Sequence, residues 1–220
     1  MRKLGRPQDF AYRYYQEGAD ELVCIDVVAS LFNRKISFEV IKKISENAFI
    51  PLTVGGGLSN LKDVEKCFLA GCDRVTINTA LIKNIKFASQ IVKTFGSQAL
   101  QASIQVKKIG NTWLAFYEAG RENSLLNLKE YSLKLEALGV GEILLTSVDR
   151  DGTMKGFDFE LIEEMRNLLS IPVVFGGGYS NKNDLKRILN NGYLSGVAVA
   201  SALHYKKCSI NNIKSVFNKL

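Results

Sequence analysis

Short apolar runs alternate with amphipathic segments along the whole chain. The runs are nearly continuous in apolar residues, as in parallel strands that are covered on both faces. The segments between them have helical periodicity; within residues 59–71, for example, Leu61 and Val64 share a face, and Ser59 or Asn60 can cap the start. This pattern predicts a β-α order with strands at 21–30, 50–57, 74–80, 99–108, 142–153, 171–178 and 196–203.

One phrase occurs twice in the chain. "IPLTVGGGLSN" occupies residues 50–60 and "IPVVFGGGYSN" occupies residues 171–181, an offset of 121 residues. An offset of 122 relates "RVTINTAL" at 74–81 to "GVAVASAL" at 196–203. Two copies of one unit are the natural inference, and together they approach the ~250 residues of a barrel of eight βα units. The predicted fold is an α/β (βα)8 barrel, the TIM barrel, built from two half-barrels, with a doubly wound open sheet as the alternative.

The two halves differ in their number of predicted strands. The second half, residues 99–220, has four, whereas the first half, residues 1–98, has three. The strand at 99–108 should have a partner 121 residues earlier, and that position falls before Met1. The chain instead begins with a segment typical of the helix that would follow such a strand. We therefore expect one barrel domain over residues 1–220 that lacks its first strand. Either the chain is a fragment, a truncated product or a misassigned start, or another segment fills the gap.

Composition limits the class of protein. Hydrophobic residues make up 46% of the chain, yet no apolar run approaches the ~20 residues of a membrane span, and the amino terminus lacks a signal-peptide stretch. The formal net charge is +7, but Lys and Arg are scattered in ones and twos. We therefore expect a cytoplasmic protein with neither a nucleic acid nor a membrane as partner. The four cysteines lack metal-ligand or disulfide spacing, which predicts buried free thiols and no metal site.

The repeated glycines predict anion sites. In a barrel of this type the loops after the strands form the active face, and glycines there let backbone N–H groups approach a phosphate. An isolated glycine triplet is more simply a tight turn from strand to helix. Two copies in register, each followed one strand later by a small polar end at 78–80 and 200–202, favour phosphate binding instead. Loops on opposite halves suit a small molecule with a phosphate at each end.

Six segments together resemble a known family: "DELVCIDVVAS", "PLTVGGG", "DRVTINTA", "FGSQA", "GEILLTSVDRDGT" and "VAVASALHY". In this order they are similar to the cyclase subunit of imidazole glycerol phosphate synthase, of histidine biosynthesis. The resemblance implies a lyase without a cofactor that forms a heterodimer with a glutaminase and receives ammonia from it. Its substrate would be a bisphosphorylated ribulosyl compound, and its products imidazole glycerol phosphate and an aminoimidazole carboxamide ribotide.

The resemblance also assigns roles to positions of this chain. Asp26 matches an acidic position of the active face, although a plain strand-end carboxylate is the alternative. The family's ammonia gate and its partner-facing positions match charged residues at the starts of strands in this chain. The alternative is that these residues form ordinary salt bridges. These residues are Glu21, Asp73, Arg74 and Glu142. One phosphate site falls on Gly57, Asn78 and Thr79, and the other on Asp151, Gly152, Gly178, Ala200 and Ser201.

Gln105 departs from the family pattern. It stands where the family carries one of two catalytic aspartates, and the other would lie before Met1. An amide cannot cycle a proton near neutral pH as a carboxylate does, so this exchange predicts a loss of about 10² in rate. Two alternatives to an active cyclase therefore stay open. One is a paralogue that relays ammonia to a sugar amidotransferase in surface polysaccharide synthesis, and the other is a non-enzymatic remnant.

Three further features complete the expectations. Trp113 and Tyr117 follow the strand of Gln105 and predict a small hairpin over the active face. His204, the single histidine, is predicted to pack or to lie on the surface rather than to catalyse. A last helix is expected to place on one face Ile210, Ile213, Phe217 and Leu220.

Overall fold

The computed structural model describes residues 4–32, 34–189 and 192–216. Within these ranges nine strands form one sheet, and seven of them lie side by side in parallel, in the order β1-β2-β3-β4-β7-β8-β9. The other two continue from β4 as an antiparallel extension. The strands are β1 (Leu22–Ile25), β2 (Leu52–Gly55), β3 (Arg74–Ile77), β4 (Leu100–Ile109), β5 (Thr112–Tyr117), β6 (Glu122–Asn127), β7 (Glu142–Ser147), β8 (Val173–Gly176) and β9 (Gly196–Ala198).

Helices connect the parallel strands, as the alternating pattern predicts. Side chains cap several of their starts; Asn60 Oδ1, for example, accepts a 3.0 Å hydrogen bond from the N–H of Asp63. Their apolar faces pack with the strands into one core cluster. The helices are α1 (Pro7–Gln16), α2 (Phe38–Ser45), α3 (Leu61–Leu69), α4 (Thr79–Lys83), α5 (Lys86–Phe95), α6 (Leu128–Ala137), α7 (Phe159–Glu164), α8 (Lys182–Leu189), α9 (Ser201–His204) and α10 (Ile210–Lys214).

The sequence repeat is also a repeat of strand register. Leu22 pairs with Leu52 in the first half, and Ile143 pairs with Val173 in the second, at the same offset of 121 residues. In each pair the first residue donates its N–H to the carbonyl of the proline before the second, at 2.9 and 3.0 Å. The parallel strands follow one another in chain order, without the reversal of a doubly wound sheet. The two half-barrels are therefore confirmed, and the open-sheet alternative is wrong.

Helix α1 has the same place in the first half as α6 has in the second. The bounds of α6, Leu128–Ala137, shifted by 121 residues, are those of α1, Pro7–Gln16. Since α6 is the first helix after β4, the counterpart of β4 belongs between β9 and β1. The described strands leave that place open, because β9 and β1 are the two ends of the sheet path.

Helices join the two ends of this path. Arg13 in α1 donates to the carbonyl of Leu203 in α9 at 3.2 Å, and the Glu17 carboxylate accepts from the N–H of Ile210 in α10 at 3.1 Å. The first and last βα units are therefore neighbours, and the sheet curls into a ring. The fold is a TIM-barrel type in which the described parallel strands fill seven of eight places.

Several predicted strands extend too far along the chain. The strand expected at 142–153 ends at Ser147, because the chain then turns and Asp151 donates its N–H to the Ser147 carbonyl at 2.9 Å. Likewise, the strand predicted at 21–30 ends at Ile25. The predictions for 74–80 and 196–203 include the first residues of α4 and α9.

The remaining predictions concern local features. The hairpin is confirmed, since Trp113 and Tyr117 lie on β5, which pairs with β4 and β6. In α10, Ile210 and Ile213 are buried as predicted, whereas Phe217 and Leu220 lie outside the described residues. All four cysteines are free, as predicted. Their predicted burial is confirmed for Cys67 and Cys72 but is only partial for Cys24 and Cys208.

Candidate functional site

The glycine loops after β2 and β8 depend on glycine for two reasons. Gly57 and Gly178 have φ of +69° and +96°, which other residues adopt only with strain. A Cβ on Gly57 would also lie 2.1 Å from the carbonyl oxygen of Arg34, and one on Gly178 would lie 2.3 Å from that of Gly156. Each loop is therefore held tightly against the loop that follows the neighbouring strand, and the same arrangement occurs in both halves.

The loop after β7 meets the second glycine loop and the start of α9. A Cβ on Gly177 would lie 3.3 Å from the Cα of Asp151, and one on Gly152 would lie 3.9 Å from the Ser201 hydroxyl. Ala200, which precedes α9, is exposed and has φ and ψ of −121° and −73°. The residues predicted for the second phosphate thus come together at the carboxyl ends of β7, β8 and β9.

In the first half, the side chains of Asn78 and Thr79 form hydrogen bonds within the protein. Asn78 Nδ2 donates to the carbonyls of Ser103 at 3.0 Å and Phe116 at 3.1 Å, so the amide ties β4 and β5 together. The Thr79 hydroxyl accepts from the N–H of Glu118 at 3.2 Å. Both side chains therefore hold the hairpin in place. The backbone of Asn78, with φ and ψ of −116° and −79°, nevertheless matches that of Ala200 in the second half.

Asp26 lies directly after β1 and forms an ion pair. Its carboxylate is 2.9 Å from Arg34 Nη2, and it also accepts from the N–H of Val28 at 3.4 Å. The Asp26 side chain retains 22% of its exposure. A carboxylate is thus presented at the carboxyl-end face with a cation beside it, a combination that suits both a general base and a structural strand-end contact.

Gln105 lies on the carboxyl half of β4, in register with Thr146 on β7 and Phe116 on β5. It lies four residues after Gln101 and therefore on the same, inward face of the strand. The side-chain oxygen of Gln105 is buried and has no hydrogen-bond partner among the described residues. An unpaired buried acceptor of this kind is costly, and it faces the interior of the barrel.

A charged ring closes the amino-terminal end of the barrel. Arg74 Nη1 donates to Glu142 Oε1 at 2.6 Å and to Glu21 Oε1 at 3.4 Å. Three predicted residues from β3, β7 and the start of β1 therefore meet across the interior. Asp73 lies outside the ring, because its carboxylate accepts from the N–H of Leu52 at 2.8 Å at the start of β2.

Two members of this ring were not predicted. Gln101 Nε2 donates to the Glu142 carboxylate, and the Thr53 hydroxyl donates to Glu21. Both are polar residues at positions that face the interior, and each lies between two apolar residues of its strand. Their alternation with apolar neighbours is the signal that identifies them as inward-facing.

His204 lies away from these loops and packs against α1. Its Nδ1 is 2.7 Å from the Tyr14 hydroxyl, and its ring meets Phe10 edge-on with centroids 5.4 Å apart. Burial lowers the pKa of His204, and the nearby Arg13 charge lowers it further. The prediction of a packing residue is confirmed.

Two negative findings hold for the described ranges. No helix in them is long and apolar enough to cross a membrane. Nor do they bring together three or more His, Cys, Asp or Glu side chains in a group that could hold a metal ion.

Comparison with known proteins identifies the family of this chain. The histidine biosynthesis protein family matches residues 1–209. Imidazole glycerol phosphate synthase subunit HisF of Dehalococcoides mccartyi is 41% identical over 214 residues, which cover 97% of this chain and 85% of that protein. The same subunit of Prochlorococcus marinus is 38% identical over 98% of this chain and 85% of its own length. The same subunit of Natranaerobius thermophilus is 36% identical over 100% of this chain and 87% of its own length. With its repeated half-barrels and this extent of similarity, the chain belongs to the histidine biosynthesis protein family.

Proposed function

We propose that the chain is a cyclase subunit of the imidazole glycerol phosphate synthase type. It would bind a bisphosphorylated small molecule at the carboxyl-end face and use ammonia supplied by a glutaminase subunit. The duplicated loop geometry carries this proposal, because Gly57 and Gly178 both have positive φ and both lie tightly against a neighbouring loop at the same end of the sheet. Its HisF relatives, which are up to 41% identical over nearly the full chain, support it.

Each half would supply hydrogen-bond donors to one of the two phosphates. On the second side, backbone N–H groups around Gly178 and the start of α9 stand beside the Ser201 hydroxyl. On the first side, the backbone of Gly57 and of the Asn78–Thr79 turn would serve, because both side chains of that turn already hold the hairpin. Phosphate binding would therefore depend mainly on backbone donors, whose positions are set by the loops.

Ammonia would reach this face through the barrel from the opposite end. Glu21, Arg74 and Glu142 surround the axis there and would form the gate, while Asp73 would face the glutaminase. Because the gate side chains are held to one another by hydrogen bonds, its opening would require the Arg74 contacts to change.

Gln105 favours a second candidate. An amide at this inward position can neither take nor give a proton as a carboxylate does, so acid–base work would depend on other carboxylates near the loops, such as Asp26 and Asp151. A paralogue that relays ammonia to a sugar amidotransferase would tolerate this exchange, since relay needs the gate and the barrel but no cyclisation.

One experiment separates these functions. The purified chain is assayed for binding of the bisphosphorylated ribulosyl compound, and for imidazole glycerol phosphate formation with ammonium salt alone and with glutamine plus a glutaminase. A cyclase binds the compound and turns it over, and Gln105→Asp raises the rate by about 10². If the wild-type chain and the Gln105→Asp variant both bind the compound without turning it over, the cyclase proposal is rejected. Stimulation of glutaminase activity by the chain would then support the relay, and its absence would leave a non-enzymatic protein.

A further inference from the structure

The turn that joins β5 to β6 has an uncommon backbone. Glu118, Ala119 and Gly120 have successive φ of +50°, +60° and +75°. The first two carry a Cβ, and residues with a Cβ adopt this left-handed region only with strain. Such a turn persists where contacts with its surroundings hold it, so those contacts show what the turn is fitted against.

Glu118 is attached at two points to one face of α4. Its N–H donates to the Thr79 hydroxyl at 3.2 Å, and its carboxylate accepts from Lys83 Nζ at 2.7 Å. Thr79 and Lys83 are four residues apart and are therefore neighbours on the helix surface. Lys83 Nζ also lies 5.5 Å from the centroid of the Tyr117 ring. The hairpin is thus held against the helix that begins at Thr79, a predicted phosphate residue.

The other side of the turn is closed. Gly120 is buried, and a Cβ on it would lie 2.8 Å from Cγ1 of Val148 in the loop after β7. Val148 is fixed in turn, because its N–H donates to the Val106 carbonyl of β4 at 3.0 Å. The turn therefore has little room to move away from α4, and the position of Glu118 is set from both sides.

The Thr79 hydroxyl can hold the hairpin and a phosphate at the same time. A hydroxyl has one proton to donate and two lone pairs that accept. The Glu118 N–H occupies a lone pair, whereas among the described residues the hydroxyl proton has only a 3.4 Å contact with Asn78 Oδ1. That proton is therefore available to a closer acceptor that carries charge, and a phosphate oxygen is such an acceptor.

We propose that Glu118 and Lys83 are positioning residues for the first phosphate. Their ion pair holds the hairpin turn against α4, and the Glu118 N–H orients the Thr79 hydroxyl so that its proton is directed to a phosphate monoester. This inference rests on the proposed function, because it concerns the same site. It adds two side chains that neither the sequence repeat nor the family resemblance selected.

The second phosphate would not depend on this ion pair. At the offset of 122 the counterpart of Thr79 is Ser201, whose hydroxyl would be 3.9 Å from a Cβ on Gly152. The hairpin meets the loop after β7 through Gly120 rather than through the charged pair. Loss of the pair should therefore affect one phosphate of a bisphosphorylated ligand and spare the other.

The exposure of the pair separates binding from folding. The side chains of Glu118 and Lys83 retain 25% and 58% of their exposure, and ion pairs this exposed contribute little to stability. A matched control is Lys129 on α6 with Glu164 on α7, which are 2.9 Å apart and retain 45% and 38% of their exposure. Removing either pair should leave the unfolding temperature nearly unchanged.

Calorimetry of the full chain with the bisphosphorylated ribulosyl compound tests the proposal. Lys83→Met should weaken binding about tenfold, as expected for one lost hydrogen bond to a charged group, and Lys129→Met should not. Exchange of the two charges, Lys83→Glu with Glu118→Lys, should restore most of the affinity. In a Thr79→Val chain, which lacks the hydroxyl, Lys83→Met should have no further effect. Phosphorus NMR of the bound compound should show that Lys83→Met shifts the resonance of one phosphate only.

Equal weakening by Lys83→Met and Lys129→Met, additive losses in the Thr79→Val chain, or equal shifts of both phosphate resonances would overturn the proposal. Unchanged affinity in Lys83→Met would also overturn it, but would leave the proposed function intact, because the wild-type chain still binds the compound. A wild-type chain that binds no bisphosphorylated compound would overturn the proposed function and this inference together.

Discussion

Arg74 Nη1 donates a 2.6 Å hydrogen bond to Glu142 Oε1 from a strand two places away in the sheet. The contact crosses the amino-terminal end of the barrel, and the same nitrogen also reaches Glu21. One guanidinium therefore holds two carboxylates that would otherwise face each other with no intervening cation.

Removing that cation should destabilise the barrel and disturb ammonia transfer. Arg74→Met leaves two carboxylates together at a partly buried position, so the free energy of unfolding should fall by about 3 kcal/mol. Urea denaturation measures this loss. Arg74→Lys, which keeps the charge, is the control and should lose less. If the chain proves active, Arg74→Met should also lower glutamine-driven turnover relative to ammonium-driven turnover; an unchanged ratio would contradict the gate assignment.

Alanine at the glycine loops should be far more damaging than alanine at an open turn. Gly57→Ala combines a positive φ with a Cβ placed 2.1 Å from the Arg34 carbonyl oxygen. Gly110 has φ +60° and no atom within 4 Å of the added Cβ, so Gly110→Ala isolates the backbone strain, about 1 kcal/mol.

Chemical denaturation of both variants provides the comparison. Gly57→Ala should lose at least about 2 kcal/mol more than Gly110→Ala, because the loop must move. Its affinity for inorganic phosphate or a bisphosphorylated ligand should fall as well, by calorimetry, while that of Gly110→Ala stays at the wild-type level. Similar losses in the two variants would mean that the loop is not held tightly.

Two glutamines on one face of β4 should respond oppositely to the same substitution. Gln105 has a buried oxygen without a partner among the described residues, so Gln105→Met should stabilise the chain by about 1 kcal/mol. The Gln101 oxygen is likewise buried without a partner among the described residues, but the Gln101 amide nitrogen donates to the Glu142 carboxylate, so Gln101→Met removes that bond and should destabilise the chain. Thermal and urea unfolding of the pair test this contrast. Destabilisation by Gln105→Met would indicate a partner for its amide that the fold alone does not reveal.

His204 should make stability depend on pH below neutrality. Its pKa in the folded chain is lowered from the ordinary value of 6.5, so the unfolded chain binds the proton more readily. The stability from the neutral ring is fully present above pH 6.5 and is lost as the pH falls below that value and through the lowered pKa of the folded chain. Urea midpoints measured between about pH 5 and pH 7.5 should show this slope, and His204→Gln should flatten it. An equal slope in the variant would assign the effect to other groups.

The sequence predicted the repeat and its consequences well. The offset that aligns two glycine phrases also aligns Leu22–Leu52 with Ile143–Val173 in the sheet, because strands of similar pattern followed by similar turns favour the same register. Glu21, Arg74 and Glu142 were selected by the family resemblance, and they meet because all three lie at the starts of alternate strands, at the same end of the barrel.

Other features depend on contacts that local pattern does not encode. The strand predicted at 142–153 ends at Ser147. The hydrophobic pattern alone did not show where the strand ends and the turn begins. The side chain of Asn78 bonds to two carbonyls on β4 and β5, which no spacing in the sequence reveals. Gln101 and Thr53 join the charged ring by bonding to carboxylates on adjacent strands, which depends on strand register and not on local pattern.

The joint between the first and last βα units differs in kind from the others in the ring. Elsewhere, adjacent parallel strands are joined by backbone ladders, whereas in the described chain this joint rests on side-chain contacts such as Arg13 with Leu203 and Glu17 with Ile210. Such contacts are fewer and more readily exchanged with water than a ladder. The ring should therefore open first at this seam, and amide protons of β1 and β9 should exchange with solvent sooner than those of β4 and β7.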